Sequence, residues 1–216
     1  GYRAVIYLPS KAVCPTSYVL EFDYTDDETT YTTEKFHYDV KIKEPDAPTK
    51  EQSNYIIDYL NTLERLLKSS SQVSQQAYAQ YIDIDSFIDF WLVGELVMNK
   101  DFNGPASCYM YKDRGGKLYA GPVWDLDIGA FSAFQYWKFP GRSLYRGYQL
   151  PENWAAAARV GAESLFTHWL DDPVFSLRAV QRYRDVVRPW LDALLAPGGK
   201  LDVYHAYLVE AGRTYD

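Results

Sequence analysis

Long apolar runs are missing from this chain: no stretch reaches the roughly 20 consecutive apolar residues that a membrane-spanning helix requires. Cysteine is scarce. Cys14 and Cys108 are too few for a cysteine-based metal site, and their spacing alone does not say whether they pair. The three histidines, His37, His168 and His205, are scattered, with no pair at the spacing of a zinc site. Neither Gly-x-Gly-x-x-Gly nor Gly-x-Ser-x-Gly occurs, which removes the glycine-rich dinucleotide cradle and the hydrolase nucleophile elbow as readings. Positive charge is outnumbered. Against 29 Asp and Glu stand 22 Lys and Arg, a net charge of -7 that disfavours nucleic acid and anionic membrane as partners.

What is present is apolar and aromatic. With 216 residues, 47% hydrophobic and 17% aromatic, the chain can bury a large core and is not a disordered segment. Its 20 tyrosines read first as core rims and amphipathic surface rather than as a ligand-stacking array.

Periodicity organises the chain. Across residues 18–24, Tyr18, Leu20, Phe22 and Tyr24 face one way while Val19, Glu21 and Asp23 face the other, a strand with one buried face. Residues 30–33 and 36–42 are candidate short strands, residues 26–28 a solvated acidic turn, and residues 45–48 a proline break. Thr49 and Gln52 form a capping box for a helix carrying Tyr55, Ile56, Tyr59, Leu60, Leu63, Leu66 and Leu67 at helical spacing. Ser69-Ser70-Ser71-Gln72 then reads as a low-complexity linker and a mobile surface loop. Asp85 is the expected N-cap of the next helix, whose stripe is Phe87, Ile88, Trp91, Leu92 and Leu96. Glu95 lies on that apolar side and must find an Arg or backbone partner, or face a site.

Later segments read mainly as scaffold. Residues 131–147 make an aromatic, Gly- and Arg-containing loop, either an ordinary surface loop or an acceptor-docking surface, and residues 154–170 a helix. Asp172 caps a further helix with Pro173 in its first turn, running through Leu191 toward Gly198-Gly199, and residues 200–212 form a last short helix.

The chemistry concentrates between two acidic loops. Asn99-Lys100-Asp101 precedes strand candidates Cys108–Lys112 and 117–123, which are joined by Asp113-Arg114-Gly115-Gly116, a turn by composition. Trp124-Asp125-Leu126-Asp127 follows. Closing the hairpin brings its open ends within about 5 Å of each other, and on extended backbone Asp125 and Asp127 would share one face. Three carboxylates at one mouth require a cation, a substrate proton or solvent to compensate them. Paired carboxylates beside aromatics also suit glycoside hydrolysis, and an acidic pocket can hold a structural cation with no catalysis at all.

These residues resemble the CotH kinase family, the spore coat protein H-like atypical kinases of bacteria. The resemblance is carried by Tyr18-Val19-Leu20-Glu21-Phe22-Asp23, the segment from Tyr81 to Phe90, Glu95-Leu96, Asn99-Lys100-Asp101, Tyr109-Met110-Tyr111-Lys112-Asp113, and Gly121-Pro122-Val123-Trp124-Asp125-Leu126-Asp127. It implies one α+β, helix-rich domain over residues 1–216, similar to the C-terminal lobe of an atypical protein kinase. Within it, residues 1–47 would be β-rich, 48–130 would carry helices, hairpin and acidic site, and 131–216 a loop and C-terminal helices.

It implies further the transfer of the ATP γ-phosphoryl group, with magnesium or manganese, to a Ser or Thr hydroxyl of a protein substrate. Asp101 would be the catalytic aspartate; Asp125 and Asp127 would hold metal; Glu21, Ser107 and Trp124 would line the nucleotide side. Export to the cell surface or the extracellular space is likewise an expectation of the resemblance. Ser107 stands where the family pattern has a metal-binding Asn. No Arg-Gly-Asn-Ser-like segment with its phosphate-binding lysine precedes Tyr18, and the chain starts at Gly1. It is therefore expected to be a piece of a longer protein, binding ATP poorly by itself. A pseudokinase-like, cation-binding module of an exported protein is the alternative, and a two-carboxylate glycoside hydrolase a more distant one.

Overall fold

The computed structural model describes residues 17–23, 29–97, 106–126, 168–169 and 172–215. They fall into two compact units, within residues 1–176 and 177–216. The architecture is α+β. In the first unit, β1 (Tyr18–Phe22), β2 (Thr30–Thr32), β3 (Asp39–Glu44), β4 (Cys108–Lys112) and β5 (Leu118–Ala120) form an antiparallel sheet ordered β2-β3-β1-β4-β5. The hairpin β4–β5 thus joins the N-terminal strands through β1, with Leu20 opposite Met110 and Glu21 opposite Tyr109.

Alternation along β1 buries Tyr18, Leu20 and Phe22 as the sequence predicts, but Glu21 is buried too, so here both faces are covered rather than one. Two strand boundaries move. The expected strand 36–42 is displaced to β3, because Glu64 accepts the backbone N–H groups of Lys35 (2.8 Å) and Phe36 (3.3 Å), holding that stretch in a bend. The expected strand 117–123 shortens to β5. Gly121 has φ of 118°, and Pro122 has no N–H to offer the ladder. Hairpin closure follows the turn chemistry: Gly116 N–H donates to Asp113 O at 3.0 Å, and Gly115 takes the φ of 70° that such a turn needs at its third position.

Helix α1 (Lys50–Leu67) starts at the predicted Thr49–Gln52 capping box and buries Ile56, Leu60, Leu63 and Leu67. It is tied to the sheet by Tyr18 Oη donating to Gln52 O (3.2 Å) and Tyr31 Oη to Ser53 Oγ (3.1 Å). The serine run that follows is not a loop. It forms the short helix α2 (Ser70–Ser74), pinned by buried Val73, before a 3-10 turn, Ala77–Gln80.

Helix α3 (Ile84–Val97) begins one residue before Asp85, so Asp83 is its cap. Asp83 Oδ1 accepts Ser86 N–H at 2.9 Å, and Asp83 N–H donates to Leu118 O at 2.9 Å. The Ile82–Leu118 bridge fixes the chain immediately before that cap, and a single sequence does not display this tertiary contact.

Trp169, wholly buried, meets Phe87 edge-on at 4.8 Å and stacks on Phe175 at 5.9 Å. Beside it the buried Asp172 accepts from Tyr78 Oη and caps the following helix through Val174 N–H (2.9 Å). Burial first, and then this bond to Asp172, pushes the Tyr78 hydroxyl far above its ordinary value. The helix capped by Asp172 is α4 (Pro173–Arg182), whose later residues belong to the second unit. A π-helical segment, Tyr183–Val187, leads into α5 (Arg188–Leu195). Pro189 explains that slip: it cannot donate to the carbonyl four residues back, and Arg188 N–H reaches instead to Tyr183 O. α6 (Lys200–Tyr215) extends past the expected residue 212. Residues 24–28, Cys14, the loop 131–147 and all of the predicted helix 154–170 except the helical residues 168–169 lie outside the described residues.

Lys112 is an unusual core residue, 1% exposed. Its Nζ donates to Asp113 O (3.0 Å) and Gly116 O (2.5 Å) and lies 4.5 Å over the Tyr59 ring, so the cation clamps the hairpin turn under α1. Lys112→Ala should lower unfolding free energy by about 2–4 kcal/mol through a cavity and two unsatisfied carbonyls. Urea midpoints will measure this; a loss within error would show that the clamp is idle.

Candidate functional site

Ser107 immediately precedes β4, and Asp125 follows β5 by five residues, so the hairpin delivers both to its open end. They touch: Ser107 Oγ donates to Asp125 Oδ2 at 3.3 Å. Both have left-handed backbones, φ 53° at Ser107 and 54° at Asp125. Two adjoining non-glycine residues in that region are uncommon, and such strain tends to gather where a side chain must be aimed. The expected extended run through Asp125 is therefore replaced by a left-handed residue followed by the helical Leu126, and the shared-face argument for Asp125 and Asp127 does not apply. Asp101 and Asp127 lie outside the described residues.

Trp124 is 53% exposed and meets Tyr109 edge-on at 6.1 Å. Tyr109 Oη in turn donates to Glu21 Oε1 at 2.7 Å, and Lys43 Nζ is 3.3 Å from Glu21 Oε2. Both oxygens of the buried Glu21 are thus engaged. Beside this group the buried Lys41 lies 4.0 Å from Asp23. Glu21, Lys41 and Tyr109 are direct partners across three neighbouring strands, which aligns them on the face opposite the one carrying Leu20 and Met110.

Four of the six residues named from sequence, Glu21, Ser107, Trp124 and Asp125, therefore join one continuous group. The group's connector, Tyr109, carried no role in the sequence reading. The available signal was Glu21 itself, a carboxylate between apolar strand neighbours, which demands a donor from the next strand.

Asp125 is exposed and has a hydroxyl beside it, hard oxygen donors of the kind magnesium and manganese prefer. No cluster of three or more His, Cys, Asp or Glu that could hold a metal occurs among the described residues. Magnesium sites commonly need only one or two protein carboxylates, with phosphate and water completing the shell.

Glu95, on the last turns of α3, found neither an Arg nor a backbone partner among the described residues. Its Oε1 is buried without a hydrogen bond, and burial pushes the carboxyl up to about 8 against a smaller downward pull from the Trp91 side chain. No helix among the described residues is long and apolar enough to cross a membrane.

Compared with known proteins, residues 9–195 match the family model described as CotH kinase protein. No curated protein and no solved structure matches the chain.

Proposed function

Because this chain belongs to the CotH kinase family, we propose that it serves phosphoryl transfer from ATP to a Ser or Thr hydroxyl of a protein, with the hairpin mouth holding the metal. The observation that carries this reading is the strained Ser107–Asp125 contact at the two ends of one hairpin. Asp125, with Asp127 beyond it, would hold magnesium or manganese, which when bound neutralises charge on the β- and γ-phosphates. Ser107 would orient the Asp125 carboxylate or give a hydroxyl oxygen to the same ion.

Asp101 would accept the proton of the acceptor hydroxyl as its oxygen bonds to the γ-phosphorus. The bond from that phosphorus to the β–γ bridging oxygen breaks, and ADP leaves. Trp124, exposed beside Asp125, would offer an aromatic wall to the nucleotide. Phosphoryl transfer asks little covalent chemistry of the protein; two carboxylates in different roles, Asp101 before the hairpin in sequence and Asp125 after it, would answer that demand.

The test is transfer of label from γ-labelled ATP to protein serine or threonine in magnesium or manganese, by the protein that carries this chain. Metal-dependent labelling of an acceptor supports the proposal. Metal binding at Asp125 with no transfer to any protein would instead favour a non-catalytic cation-binding module.

A further inference from the structure

Left-handed backbone at Ser107 and Asp125 costs free energy, and it persists only where neighbouring contacts over-determine it. Their mutual hydrogen bond is exposed and, at 3.3 Å, too long to hold both by itself. A stronger anchor sits one step behind them. Tyr109 engages the loop in two ways and ties it to the sheet by a third: its carbonyl accepts Gly121 N–H at 2.9 Å, its ring packs edge-on against Trp124, and its hydroxyl donates to Glu21 on β1 at 2.7 Å. Glu21 is itself fixed by Lys43 and lies directly opposite Tyr109 on the central strand of the sheet.

We propose that Tyr109 is a positioning residue for Asp125. Glu21 sets the ring of Tyr109, the ring sets Trp124, and Trp124 holds the next residue, Asp125, in the conformation that turns its carboxylate toward Ser107. A phenylalanine ring would fill the same space but leave the buried Glu21 carboxylate short of a donor, so the hydroxyl is as much part of the device as the ring. The inference rests on the proposed function in taking Asp125 as the metal-holding residue; the mechanical coupling itself does not depend on metal.

Manganese titrations followed by electron paramagnetic resonance test the first part, on wild type, Tyr109→Phe, Glu21→Leu, which removes the acceptor of the Tyr109 hydroxyl, and the double variant. Each single variant should bind manganese about tenfold more weakly, at the mild end for residues that orient a metal ligand. The double variant should be no weaker than either single one, because both remove the same link. A merely structural role would lower thermal stability and leave manganese affinity unchanged, which would overturn the proposal.

A second readout needs no metal. The ¹³Cγ resonance of Asp125, assigned by its loss in Asp125→Asn, should move in Tyr109→Phe and in Glu21→Leu. If wild type binds no manganese through Asp125, the metal reading fails, while a shifted resonance still sustains the positioning role; an unmoved resonance overturns it.

Discussion

Magnesium or manganese should stabilise this protein and Asp125→Ala should abolish that stabilisation, while Asp101→Asn should leave it intact and lose phosphoryl transfer instead. A ligand that binds only the folded state stabilises by mass action, about 2.7 kcal/mol at a concentration 100-fold above its dissociation constant. At roughly 2–4 °C per kcal/mol for a chain of this size, that is a melting-temperature rise of about 5–10 °C, easily read by scanning fluorimetry. Asp125 sits where the hairpin aims it, exposed and in contact with Ser107, so removing its carboxylate should erase the rise.

Asp101 is assigned to the acceptor hydroxyl. Its amide should retain nucleotide and metal affinity and lose about 10²–10⁴-fold in turnover, the range for a positioned general base. An equal metal-dependent shift in wild type and Asp125→Ala would remove Asp125 from the metal site. Full transfer by Asp101→Asn would remove Asp101 from the chemistry.

The outline of this site was legible because a hairpin is a local object. Gly115 and Gly116 mark the turn, Tyr, Met and Leu mark the strands, and the open ends must then meet, which places Ser107 beside Asp125 without knowledge of the rest of the fold. Thr49 and Gln52 were readable for the same reason, both halves of the capping box lying within one turn.

Contacts distant in sequence were not readable. Glu21 and Tyr109 are 88 residues apart, and their bond depends on β1 pairing with β4 rather than with any nearer strand. The cap of α3 went to Asp83 because Ile82 bridges Leu118, although Asp83 and Asp85 look alike as capping residues. The left-handed φ at Asp125 was also hidden: nothing in Trp-Asp-Leu-Asp distinguishes it from extended chain, since the constraint comes from the sheet behind it.

Raising the pH from 5 to 9 should weaken folding by about 4 kcal/mol through Glu95 alone, and Glu95→Gln should remove that part of the pH dependence. Burial raises the Glu95 carboxyl from its ordinary 4.5 to about 8 in the folded protein. Between those values the folded state holds a proton that the unfolded state has already released, so stability falls as pH rises across the window. Below about 4.5 both states are protonated and the cost vanishes; above about 8 both are ionised and the full penalty remains without further slope.

The buried Oε1 lacks a hydrogen bond, so glutamine leaves one polar atom in the same position but never has to carry the charge. The variant should therefore match wild type near pH 4.5 and exceed it at pH 8–9. Groups common to both proteins cancel in the difference between the two profiles. Denaturant midpoints at five or six pH values will settle the comparison. Parallel profiles would mean that Glu95 is ionised in the folded protein at neutral pH, held by a partner from beyond the described residues, and the carboxylate would then be a candidate member of the site rather than a buried acid.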